Sequence, residues 1–304
     1  MTSPFHKIDI SVSGTGVVLE QSPLGGPVVR LHNEHGTAII ALQGAQLMSW
    51  TPAGHKPVIW MSPVERLANP PENPKPVRGG TPVCWPWFGP HPMDPKKPAH
   101  GFVRTRQWSV DQAEGSARAL RVTLSTSTTG ADKPLWPNEA SVALTLTLGE
   151  ALTLALTTHN TGTNPFALSQ ALHTYFAVND ISNISVEGFD KQTYIDKLDA
   201  NARKQQTGAI QFSAEVDRIY DVHQGMAAIV DTGLRRRIEI SKTGSRSTVV
   251  WNPWIEKCNR LADMGADGYR GMVCVETCNA GNDVVDIAAG AHHTISATYR
   301  VTNL

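Results

Sequence analysis

Cysteine is scarce: Cys84, Cys258, Cys274 and Cys278 are the only four in 304 residues. That excludes a disulfide scaffold. Cys274 and Cys278 lie in a segment that reads as a strand, where a four-residue spacing means roughly 13 Å at ~3.3 Å per residue. They cannot pair within one straight strand, and buried free thiols are expected. Charge surplus is absent too, with Lys+Arg and Asp+Glu both 27. A nucleic-acid binder needs an excess of cations to neutralise phosphates, so any anion bound here must be met by a few local side chains. No stretch approaches the ~20 apolar residues of a membrane helix. Residues 1–21 show no basic segment followed by an apolar run, so a cytoplasmic protein without a secretory leader is expected; Asn183-Ile184-Ser185 then carries no glycosylation meaning. The phosphate loop, the dinucleotide fingerprint, the nucleophile elbow and the H-E-x-x-H zinc motif are all missing.

What the chain does have is period-two alternation. Hydrophobic residues make up 40% and charged residues 18%, enough to bury a core and too apolar for disorder. Within Ser141–Thr158, Val142, Leu144, Leu146 and Leu148 alternate with small and Thr residues. Gly149-Glu150 breaks the run, and Leu152, Leu154 and Leu156 resume it. This predicts a hairpin with one apolar and one threonine face. Further strands are expected at Pro27–Leu31, Gly36–Ala41, Leu120–Ser125, Ala167–Phe176, Ala227–Asp231, Arg237–Ser241, Thr248–Trp251, Met272–Glu276 and His293–Val301. The connections are rich in Gly, Pro, Asn and Asp. Helices are nearly absent; Met264–Tyr269 suits one short turn. The fold class is therefore all-β, a large β-sandwich formed as one domain over 1–304, with residues 1–20 a variable extension. Residues 62–98 form a long proline-dense irregular stretch, whose aromatic content argues against disorder and whose length suggests function.

Several segments could carry chemistry. In Arg78-Gly79-Gly80 the glycines permit sharp backbone and close ligand approach, and the Arg fork suits phosphate; a surface Arg beside packed tryptophans fits equally. In His100-Gly101-Phe102-Val103-Arg104, His100 is a loop-mounted polar group and Arg104 either a second anion contact or an exposed strand start. His173 sits within Ala167–Phe176, on the face of Ser169, Ala171 and Tyr175; imidazole titrates near ~6.5, suiting proton transfer as well as a structural role. Glu276 ends an apolar strand, where a carboxylate is costly unless paired or functional. Asp217-Arg218, with adjacent opposite charges, reads as solvated surface. Trp251 and Trp254 either stack on sugar or fill the core.

Taken in order, Arg78-Gly79-Gly80-Thr81-Pro82, Trp85-Pro86, Phe88-Gly89, His100-Gly101-Phe102-Val103-Arg104, Ala171-Leu172-His173-Thr174-Tyr175-Phe176, Asp217-Arg218-Ile219-Tyr220 and Val273-Cys274-Val275-Glu276 resemble the glucose-6-phosphate 1-epimerases, a branch of the aldose 1-epimerase superfamily. The resemblance runs from about Val28 to the C-terminus. It implies a supersandwich like that of galactose mutarotase, with His173 and Glu276 as the catalytic pair. It also implies substrate contacts from Arg78, Arg104 and Asp217. Ring opening between one acid and one base involves no redox or carbanion chemistry, so no metal or cofactor is expected, and His100 is expected to assist at the ring oxygen or the anomeric hydroxyl. The family often carries Gln before His-Gly-Phe; here that place is Ala99, so one polar contact is missing. The expected partner is a small-molecule sugar phosphate, and the expected state a monomer. Glu276 is expected to stay charged while His173 holds a proton, each supporting the other. Three rivals fit part of the pattern: a sugar-binding sandwich without activity, a glycosidase, which would need two carboxylates across the scissile bond, and a mutarotase for unphosphorylated or differently phosphorylated sugars.

Overall fold

A computed structural model describes residues 9–12, 15–22, 25–63, 75–116 and 118–304. Half of the chain is strand and 7% helix, which makes it all-β. The first sheet has five strands in chain order: Asp9–Val12, Thr15–Gln21, Pro27–Asn33, Gly36–Ala41 and Leu47–Pro52. The strand Thr15–Gln21 pairs along Pro27–Asn33, so part of the expected N-terminal extension belongs to this sheet.

A long eight-stranded sheet forms the back layer. Its spatial order is Ile184–Glu187, Ala227–Asp231, Arg236–Thr243, His292–Asn303, Leu152–Asn160, Ala140–Leu148, Leu120–Ser127 and Ser109–Gly115. The predicted hairpin is its centre. Leu144, Leu146, Leu148, Leu152, Leu154 and Leu156 are all 0% exposed, each contributing roughly 1.5–3 kcal/mol by leaving water. The opposite face is a hydroxyl ladder: Thr123–Thr145, Thr153–Thr298 and Thr157–Thr294 are hydrogen-bonded at 3.0, 2.9 and 2.8 Å.

The front sheet carries the chemistry. Its order is Ala202–Gln205, Thr193–Asp196, Val216–Tyr220, Ser247–Asn252, Met272–Asn279, Gln170–Leu172 and Val83–Cys84, with Tyr175–Ala177 also on Met272–Asn279. The two layers meet at Tyr299, whose ring contacts Phe176 and whose hydroxyl lies 2.7 Å from that of Thr174.

Three sequence expectations change. Ala167–Phe176 is three short strands, Phe166–Leu168, Gln170–Leu172 and Tyr175–Ala177, because neighbouring carbonyls capture its backbone: His173 N donates to Pro82 O and Tyr175 N to Gly80 O. Val216–Tyr220 is an interior strand with Val216, Ile219 and Tyr220 buried, so the charged Asp217 and Arg218 are half-buried within a sheet rather than fully solvated. The α-helix is Trp254–Arg260, and Met264–Tyr269 gives only the start of a 3-10 turn, Gly268–Gly271. Of the irregular stretch 62–98, residues 64–74 lie outside the described residues.

Candidate active site

Strand register brings the two proton-transfer candidates together. Leu172 pairs with Thr277 and Tyr175 with Cys274. The register runs through the break between the short strands unchanged, which sets His173 opposite Glu276. Their side chains meet, His173 Nε2 lying 3.4 Å from Glu276 Oε1. Glu276 is 1% exposed and its Oε2 has no partner; His173 Nδ1 has none either. Buried polar atoms are normally satisfied, so these two atoms keep hydrogen-bonding capacity to offer a substrate.

The loop bearing Arg78 is stitched to the same segment. Val83 and Cys84 pair with Leu172 and Ala171, and the Gly80 carbonyl holds Tyr175 N. Gly80 has φ +67°, and a Cβ there would lie 2.3 Å from Leu47 O, so no side chain fits. This places Arg78 beside Tyr175. Arg78 Nη1 donates to the Tyr175 hydroxyl at 3.0 Å, while Nε and Nη2 reach Asp263 Oδ2 at 3.0 and 2.9 Å. A guanidinium has five N–H donors, so one on each Nη remains free. Tyr175 in turn stacks on His173, with ring centroids 5.0 Å apart and planes 11° apart.

His100 and Arg104 close the opposite wall. Gly101 allows this: its virtual Cβ would meet Trp85 O at 1.8 Å. The His100 ring lies 5.6 Å from that of His173, and its Nδ1 accepts from Gly89 N at 3.2 Å. Nε2 therefore carries the proton and is a donor. Arg104 Nη2 donates to Ala99 O at 2.8 Å; with Ala here, only the backbone of that residue offers a polar group. Arg78, Arg104, His100, His173, Tyr175, Lys75 and Asp263 line one cavity of about 420 Å³, within the ~300–1,000 Å³ usual for small ligands. A larger cavity, about 690 Å³, opens beyond Phe88 and has no carboxylate in its lining.

Asp217 sits one rung along the front sheet. It pairs with Trp251, which pairs with Cys274, which pairs with Tyr175. Lys257 Nζ stands 3.8 Å from its Oδ2 and lies over the Trp251 ring. Sequence reasoning gave no role to Tyr175, Asp263, Lys75, Lys257 or Cys274. Tyr175 alone had a signal, sharing the face of His173.

Burial dominates the electrostatics. It pushes the Glu276 carboxyl well above the usual carboxylate range, with Asp217 adding to the effect. It holds the His173 imidazole well below its ordinary value, helped by His100 and Arg78. His100 falls to about 3 through burial, then Arg104 and Arg78. The expected self-supporting ion pair is thus corrected: desolvation outweighs mutual attraction, and the neutral forms are favoured. Both shifts favour a proton on Glu276 over one on His173.

This geometry agrees with the comparisons. The family model described as aldose 1-epimerase matches residues 27–300. The chain belongs to the aldose 1-epimerase family. An Escherichia coli K12 member, "Putative glucose-6-phosphate 1-epimerase", is 36% identical over 244 residues, 80% of each chain. A Cenchrus ciliaris protein of the same name is 35% identical over 286 residues, 91% of this chain and 82% of that one. Among solved structures, a "putative mutarotase (YeaD)" from Salmonella typhimurium superimposes with TM-score 0.86 at 28% identity, covering 98% of this chain and 97% of the other. A galactose mutarotase-like protein from Clostridium acetobutylicum shares the fold, with TM-score 0.72 at 13% identity over 95% and 98% of the chains. As a member of this family the chain is an isomerase acting at the anomeric centre of a sugar.

Proposed function

We propose that this aldose 1-epimerase interconverts the α and β anomers of a hexose 6-phosphate, glucose 6-phosphate above others. One observation carries the reading: His173 and two arginines with free N–H groups line one cavity, and the buried Glu276 carboxylate meets His173 just behind its wall. A pyranose over His173 and Glu276 would send its 6-phosphate toward Arg78 and Arg104. The names of the Escherichia coli and Cenchrus relatives support the same substrate.

In the productive form the single proton of the pair sits on His173. Glu276 takes the proton of the C1 hydroxyl, and His173 donates to the ring oxygen as the bond from C1 to that oxygen breaks. The aldehyde turns about C1–C2, the ring closes on the other carbonyl face, and the protons return. Reaching this form from the neutral pair needs only a proton shift across the 3.4 Å gap. Each proton-transfer partner is worth roughly 10²–10⁴ in rate. His100 donates through Nε2 to an oxygen near the anomeric centre, and Asp217 accepts from a ring hydroxyl. The arginines contribute orientation by holding the far end of the substrate.

Exchange NMR on α and β glucose 6-phosphate, with glucose and galactose alongside, tests the assignment. Enzyme-dependent exchange should be fastest for the phosphorylated sugar. Exchange of free sugars alone would remove the phosphate claim, and exchange of none would leave only sugar binding.

A further inference from the structure

A third potential ligand lies with the catalytic candidates. Cys274 and Glu276 are two apart on one strand and so share a face, and His173 reaches that face from the facing segment. One ligand atom from each of the three lies within 4.8 Å of the others. We propose that His173, Cys274 and Glu276 bind a zinc ion, and that zinc shuts the enzyme off.

The donor set selects the metal. A thiolate with an imidazole and a carboxylate suits zinc, whereas magnesium and calcium seek oxygen alone. Zinc bonds of about 2.0–2.3 Å in a tetrahedron put ligand atoms roughly 3.3–3.8 Å apart. The His173–Glu276 separation of 3.4 Å already fits, and the Cys274 sulfur, within 4.8 Å of both partners, must close in by at most about 1 Å to reach the same spacing. Charge fits as well. A dication with one thiolate, one carboxylate and a neutral imidazole is neutral overall, the form a buried site tolerates. The thiol proton and the shared proton of the pair pass to solvent on binding. Glu276 Oε2, buried without a partner, is available to the metal.

The same bonds explain inhibition. Zinc would occupy the lone pairs that move protons at C1 and at the ring oxygen, so metal and turnover exclude each other. Three protein ligands and an unsupported Nδ1 on His173 make the site reversible rather than structural, because loss of a supporting partner costs ~10–100-fold in affinity. The inhibition rests on the anomerase reading; the metal binding does not.

Two measurements on the full chain keep these apart. Titration with Co²⁺ should give one equivalent with a thiolate-to-cobalt charge-transfer band, lost in Cys274→Ala. Anomer exchange should be inhibited by zinc but not by magnesium, and Cys274→Ala should keep its zinc-free rate while becoming at least ~10–100-fold less sensitive to zinc. Should circular dichroism show that variant unfolded, Cys274→Ser takes its place. A wild-type protein without the band, a band that survives in the variant, or equal zinc sensitivity of both proteins overturns the proposal. Absence of exchange for every sugar strikes the functional reading alone, and the cobalt band still decides the site.

Discussion

The Tyr175 ring lies flat against the His173 imidazole, 5.0 Å between centroids, while its hydroxyl accepts from Arg78. One residue thus touches both ends of the cavity, the proton-transfer end through its face and the cationic end through its oxygen. Tyr175→Phe keeps the stack and removes the acceptor. KM for glucose 6-phosphate should rise roughly 2–10-fold, the worth of one hydrogen bond, with kcat nearly unchanged. Tyr175→Leu should lower kcat as well. Steady-state kinetics of both variants separates the contributions; a fall in kcat for Tyr175→Phe would contradict them.

Replacing either arginine tests the phosphate end. Arg78→Met or Arg104→Met removes a charge-assisted contact, worth about 1.5–3 kcal/mol, so KM for glucose 6-phosphate should rise roughly 10–100-fold. KM for free glucose should barely move. Equal effects on both sugars would mean that these side chains hold the fold rather than the substrate.

The pH profile should reflect desolvation. His173 is held below the usual imidazole value and Glu276 above the usual carboxylate range, burial being the main cause for both. The pair gains a second proton only below the ordinary imidazole pKa, and loses its one proton only well above the ordinary carboxylate pKa. kcat/KM for free glucose, whose profile is free of phosphate ionisation, should therefore show no acid limb at the ordinary imidazole pKa of ~6.5. An acid limb centred there would contradict the neutral pair.

Stability should respond to another histidine. His223 is 2% exposed, its Nδ1 3.0 Å from Thr248 Oγ1 and its Nε2 3.2 Å from Gly188 O. Burial, then Lys242, lowers it to about 4. Between ~6.5 and that value the unfolded chain binds a proton that the folded one refuses. Stability is thus fully present above ~6.5 and falls as pH drops toward 4, by about 3 kcal/mol. Denaturant unfolding at pH 7 and pH 4.5 should show this loss, reduced in His223→Gln.

Much of the fold was legible because alternation is a local signal. Gly36–Ala41 and Ala227–Asp231 have the bounds read from the sequence, and the leucine hairpin lies where its pattern puts it. Misses came where tertiary partners decide. Nothing local shows that Pro82 and Gly80 carbonyls interrupt the strand at His173. Asp217-Arg218 looks like open surface until pairing with Thr193–Asp196 and Ser247–Asn252 sets it inside a sheet, half-buried. The pairing of Asp263 with Arg78 joins residues 185 apart, and no spacing rule reaches that far. His173 and Glu276 were visible as unusual placements, but their ionisation was misread, because the depth of burial is a property of the assembled sheets.

The pair itself is best tested by the anomerisation rate of glucose 6-phosphate with Glu276→Gln and His173→Asn, each confirmed folded by circular dichroism. Both should lose roughly 10²–10⁴ in kcat, and the double variant should be little worse than either, because the two groups act as one unit. Folded variants that turn over near the wild-type rate would show that the carboxylate and imidazole meeting at 3.4 Å do not move the protons.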